Sequence, residues 1–132
     1  IPEGLDIKLL IIPGGLNWSD KEYVKYCDII EYCLDNNILT AAICDSVTFL
    51  ADNGFLDKRR HTGNTVEYLK KNAPGYNGEN NYVESQSLIF ENLITANGSA
   101  AVEFSRDIMM KLNICPQKKI DEWFHIFKHG FL

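Results

Sequence analysis

Three short apolar runs constrain this chain more than anything else in it: Ile7 to Ile12, Ile38 to Ile43 and Asn92 to Ala96. Each is continuous rather than alternating, the pattern of strands covered on both faces, as in a parallel sheet. Each stops abruptly, at Pro13-Gly14-Gly15, at Cys44 and at Asn97-Gly98. The segments between them change to a helical period. Tyr23, Cys27, Ile30 and Leu34 share one stripe, as do Ala101, Phe104, Ile108 and Leu112. Parallel strands need crossovers of this length, so the alternation predicts an α/β fold.

Boundaries follow from turn and cap chemistry. Ser19 with Glu22, and Asn64 with Glu67, form capping-box patterns that open helices, and Ser99 is placed to cap a third. Ser46 to Asn53 reads as a short helix closed at Gly54, and Lys118 to Lys128 as a last helix after Pro116. Tyr82-Val83 and Leu88 to Phe90 read as short strands. In the last helix, Trp123, Phe124 and Phe127 either cover the sheet or form a dimer contact.

The 132 residues suit one domain, spanning 1–132. With 45% hydrophobic residues, a packed core is expected. The net charge of −5 lacks the basic footprint of a nucleic-acid binder. No apolar run reaches the roughly 18 residues of a membrane span, and the start lacks the basic region of a signal peptide. A cytoplasmic location with no nucleic-acid or membrane partner is the expectation. The four cysteines, Cys27, Cys33, Cys44 and Cys115, form no CxxC pair, so neither a metal, a cofactor nor a disulfide framework is expected.

The chemistry concentrates at Cys44, in "AAICDSVTFLADNGFL". It ends a buried strand and begins a helix, beyond the carboxyl edge where open α/β sheets bind ligands. The positive end of a helix favours a thiolate there. A packed thiol, a metal ligand and a nucleophile are all compatible with that position. Cys27 and Cys33 lie on or beside a helix stripe and read as structural. Pro13-Gly14-Gly15 ends the neighbouring strand at the same edge, where glycine lets backbone N–H groups approach a substrate. The N–H groups of Gly15 and Asp45 can together form an oxyanion hole. Trp18 either walls the pocket or packs the loop, and Asn97-Gly98 brings a further helix start to the same edge.

Three segments, "LLIIPGGLNW", "AAICDSVTFLADNGFLDKRRHTGN" and "NLITANGSAAVEFSRDIMMKL", are similar to the DJ-1/PfpI family of the class I glutamine amidotransferase-like superfamily. They resemble most its bacterial branch labelled as proteases and amidases. The resemblance implies a flavodoxin-like three-layer sandwich with a mostly parallel sheet, Cys44 as the reactive elbow cysteine, and Gly15 and Asp45 as oxyanion donors. It aligns His61 with a histidine that lies near the cysteine in some members. From the residues alone His61 follows two arginines and reads equally as an exposed strand-end histidine.

Two departures from the family stand out. The opening strands and helix, with a glutamate that meets the thiol, are expected before the PGG strand and are not in this chain. The edge of Leu9 to Ile12 is therefore expected to pair with that segment or with a second copy, as a homodimer. The residue after the cysteine is Asp45, where protease-labelled members carry histidine. The resulting expectation is nucleophilic chemistry by Cys44 on a small carbonyl or amide substrate, hydrolase-like or glyoxalase-like. A redox or stress sensor acting through oxidation of Cys44 is the alternative.

Overall fold

Among the described residues, helices cover both faces of a four-stranded sheet in the order β1-β2-β4-β3. The computed structural model describes residues 6–131. The strands are β1 (Leu9–Ile12), β2 (Leu39–Ile43), β3 (Ser87–Phe90) and β4 (Leu93–Ala96). β1 pairs in parallel with β2, and β2 with β4, while β3 returns antiparallel on β4. This is the flavodoxin-like three-layer arrangement anticipated from the sequence. β1 begins at Leu9 rather than Ile7.

Alternate residues of the continuous runs feed two cores, as the pleat requires. Leu10, Ile12, Ala42 and Leu93 face a cluster built with α1 (Cys27–Asp35), α2 (Asp45–Asp52) and α3 (Val66–Asn72). Leu39, Ala41, Ile94 and Ala96 face Phe104 and Ile108 of α4 (Ala101–Leu112). Both clusters therefore bury the same strands, one on each side. Among the described residues β1 is an edge strand, and Ile11 remains 48% exposed.

Several boundaries fall elsewhere than the sequence suggests. Asp20, not Ser19, caps the first helical segment, accepting the Glu22 N–H, and that segment opens as a 3-10 helix over Lys21–Tyr26. Thr65, not Asn64, caps α3, because its hydroxyl reaches the Tyr68 N–H. Ser99 does not cap α4. Its hydroxyl is committed to Asn97, and Ala100 takes the cap position with no side-chain bond. Ala100 is also the buried residue, whereas Ala101 is exposed. Tyr82 makes only an isolated parallel bridge with His61, not a strand.

The last helix, α5 (Gln117–His129), packs on α4 rather than on the sheet. Lys128 reaches the buried Glu103 carboxylate at 3.0 Å, Arg106 lies over the Phe124 ring, and Trp123 stacks on Phe127. A carboxylate buried under a helix needs such a partner, since an unpaired charge there is costly. Of the described helices none is long and apolar enough to cross a membrane.

Candidate active site

Cys44 sits between the last residue of β2 and the first of α2 with φ +60° and ψ −128°. A side-chain-bearing residue rarely adopts this conformation, and it costs about 1–3 kcal/mol. It persists because both flanks are pinned. The Cys44 N–H donates to Ala96 O at 3.0 Å, and its carbonyl accepts the Val47 N–H at 3.1 Å. Just behind, the buried Ser46 hydroxyl accepts the Ile43 N–H at 3.0 Å and lies 2.7 Å from Ile12 O and 2.8 Å from Ile43 O. One hydroxyl thereby ties the ends of β1 and β2 together under the elbow.

Glycine flanks the cysteine on two sides. A Cβ on Gly14 would lie 2.9 Å from Cys44 Cβ, and one on Gly98 would lie 2.9 Å from Cys44 Sγ. The PGG loop and the β4–α4 turn thus close on the thiol to a distance only glycine permits. The sequence places Gly14 and Gly98 at this edge, and the structure brings both against the sulfur-bearing side chain.

Trp18 holds the PGG loop rather than standing free. Its Nε1 donates to Pro13 O at 2.9 Å, and its ring packs on Tyr23 and Phe49. It still lines a shallow hollow with Gly14, Gly15 and Leu16. Among the described residues neither the Gly15 nor the Asp45 N–H meets an acceptor. The Asp45 N–H belongs to the first turn of α2, where no intrahelical partner exists. The Asp45 carboxylate accepts the Tyr68 hydroxyl at 3.0 Å. That bond, then burial, holds the Tyr68 phenol above its ordinary range.

His61 is not brought to the thiol, nor is it exposed. It is fully buried. Its Nδ1 lies 2.6 Å from Arg59 O and its Nε2 2.7 Å from the Tyr76 hydroxyl. A carbonyl only accepts, so Nδ1 carries the proton and Nε2 accepts from Tyr76. Both nitrogens are used, and the ring stands edge-on to Tyr76 and Tyr82. Burial lowers its pKa, opposed by the Arg59 carbonyl and by Asp57. His61 is therefore a core residue with both ring nitrogens engaged, and the next residue is anchored to β4, where the Thr62 N–H bonds Thr95 Oγ1.

Asn64 is the residue that sequence reasoning assigned only to a helix cap. Its Oδ1 accepts the Gly98 N–H at 2.8 Å, and its Nδ2 lies 4.0 Å from Cys44 Sγ. Asn97 does not face the sulfur. Its Nδ2 donates to Gln86 Oε1, and its Oδ1 takes the Ser99 N–H and hydroxyl. Beyond Asn64 opens a polar cleft of about 660 Å³, lined among others by Thr65, Glu67, Glu84, Gln86 and Asn97. Among the described residues no group of three His, Cys, Asp or Glu side chains gathers to hold a metal ion. Burial raises the thiols of Cys27 and Cys33, with Asp28 and Glu31 adding to the effect at Cys27.

The DJ-1/PfpI family pattern matches residues 3–111. The chain belongs to the DJ-1/PfpI family. It is 36% identical over 129 residues to the uncharacterised protease YdeA of Bacillus subtilis, covering 98% of this chain and 64% of YdeA. With the uncharacterised protease YoaZ of the same organism it shares 32% identity, covering 91% of this chain and 57% of YoaZ. The crystal structure of a thiJ/pfpI family protein from Bacillus anthracis superposes with a TM-score of 0.90 at 35% identity, over 95% of this chain and 59% of that one. The DJ-1 superfamily protein Atu0886 from Agrobacterium tumefaciens gives 0.81 at 31% identity, over 93% and 65% respectively. The chain thus spans about six-tenths of the length of these relatives.

Proposed function

We propose that Cys44 is the nucleophile of a small-molecule enzyme acting on carbonyl or amide compounds. The observation that carries this reading is the backbone of Cys44. A φ of +60° at a non-glycine residue, pinned on both sides, lifts the side chain out of the strand end, as a nucleophile elbow does. Attack forms a bond from sulfur to the carbonyl carbon, and the displaced electron pair moves to the oxygen. The N–H groups of Gly15 and Asp45, which meet no acceptor among the described residues, receive that charge. Hydrolase or amidase chemistry agrees with the names of the two Bacillus subtilis relatives. Glyoxalase-like addition to a reactive aldehyde fits the same groups. With both His61 nitrogens occupied, the proton exchanged with sulfur passes through solvent.

The test is turnover of methylglyoxal and of simple amides by the protein and by Cys44→Ala. Loss of turnover in the variant supports the reading; undiminished turnover sinks it. A second reading rests on Cys44 being partly exposed beside free N–H donors. Peroxide would then oxidise the thiolate to a sulfinic acid held by those donors. Peroxide-treated protein that gains two oxygens at Cys44 but turns over neither substrate class favours this sensor role. On the partner side, we propose that the edge of β1 left open among the described residues, where Ile11 is exposed, pairs with a strand from a second copy or from a longer form of the chain.

A further inference from the structure

We infer that Asn64 is a positioning residue that holds the Cys44 sulfur in its anionic form through its amide N–H. The orientation of the amide settles which of its ends meets sulfur. The Gly98 N–H can only donate, and it points at the Asn64 side chain at 2.8 Å. The atom receiving it is therefore the oxygen, and the NH2 group faces Sγ at 4.0 Å. Asn64 is also held from the chain side, since Thr65 begins α3 with its own capping bond. The amide is thus clamped between the β4–α4 turn and α3, and Gly98 leaves it room by lacking a Cβ.

Asn64 makes the one side-chain hydrogen-bond contact to Cys44 Sγ among the described residues. A donor to a charged acceptor favours the charged form, and such bonds are the stronger kind. Among the described residues, the ionisable groups around this corner either have other partners or carry the same negative sign as a thiolate. Asp45 is bonded to Tyr68, while Glu67 and Glu84 line the cleft beyond Asn64. Gly14 and Gly98, which press on the cysteine, carry no side chain. Among the described residues, thiolate stabilisation by a side chain therefore falls to a neutral amide. The inference rests on Cys44 being a reactive thiol, but its readout is alkylation, not turnover.

The experiment compares pH–rate profiles for iodoacetamide alkylation of Cys44, followed by peptide mass spectrometry, in the protein, Asn64→Leu and Asn64→Asp. Cys27 serves as the internal reference. Asn64→Leu removes the donor and the acceptor. Asn64→Asp keeps the acceptor for Gly98, removes the donor and adds a negative charge. The expected result is a profile displaced to higher pH in both, with alkylation near neutral pH slowed about tenfold in Asn64→Leu and more in Asn64→Asp. An Asn64→Asp profile that does not move overturns the inference, since that variant has lost the donor and gained a negative charge beside the sulfur. So does an unmoved profile in a folded Asn64→Leu protein. If the leucine variant fails to fold, Asn64→Ala, which also removes the donor without adding charge, is read in its place. If Cys44→Ala retains full turnover, the enzymatic proposal fails while this one stands.

Discussion

The Ser46 hydroxyl lies 2.7 Å from the Ile12 carbonyl, 34 residues earlier in the chain. This contact joins the strand that carries the PGG loop to the strand that carries the cysteine. Ser46→Ala removes it and takes the Ser46 acceptor from the partly buried Ile43 N–H. The expected cost is about 1–3 kcal/mol in urea unfolding, with slower Cys44 alkylation in the folded state. A variant as stable as the parent would show that the hydroxyl is not the tie.

Gly14 and Gly98 press on the same cysteine but on different parts of it. A methyl at Gly14 meets Cys44 Cβ at 2.9 Å and the Ile43 carbonyl at 3.3 Å, neither of which can swing away. Gly14→Ala is expected to destabilise by about 1–3 kcal/mol. A methyl at Gly98 meets the sulfur tip, at 2.9 Å. A side-chain tip can rotate, so Gly98→Ala is expected to change thiol reactivity more than the unfolding midpoint. Parallel denaturation and alkylation of the two variants checks the contrast.

Buried His61 and half-buried Tyr76 form a hydrogen-bonded pair, and this fixes the sign of a pH dependence. Burial lowers the His61 pKa, so the unfolded chain binds the proton more readily, near its ordinary value of about 6.5. Stability from this group is complete above that value and falls as pH drops through it toward the lowered folded value. Burial, with Tyr82, Glu79 and Asp57, pushes the Tyr76 phenol up to about 12. Its contribution is complete below about 10 and is lost as pH rises toward the folded value. Urea midpoints across pH should decline at both ends. His61→Phe should lose the acid-side component while leaving Cys44 alkylation unchanged, since neither ring nitrogen reaches the thiol.

Thiol-selective labelling separates the cysteines. Cys33 is fully buried, and burial raises both Cys27 and Cys33. Cys44 is partly exposed at a helix start. Limited iodoacetamide at neutral pH should modify Cys44 before Cys27, and Cys33 only on unfolding. Faster labelling of Cys27 would count against Cys44 as the proposed nucleophile.

What the amino-acid order determined by itself was local and periodic. Continuous apolar runs set three of the four strands, and strand-to-helix turns set the elbow and the PGG loop. Those signals are written within a few residues of where they act. Cap identity was less legible, because Ser19, Asp20, Asn64, Thr65 and Ser99 all offer a suitable oxygen. Which of them caps depends on what else each can reach. Asn64 was free for the sulfur because Thr65 took the cap, and Ser99 turned to Asn97 instead.

Tertiary structure alone decided the rest. The histidine two residues after Arg59 became a core residue only when Tyr76 and Tyr82 folded over it. The Asn64 amide acquired a direction only when Gly98 arrived from 34 residues away. Hydrogen bonds act over about 3 Å, so no spacing along the chain records which donor will meet which acceptor. The sequence could mark Cys44 as the place where chemistry collects. The packing of β1, β2 and β4 chose the neighbours of its sulfur.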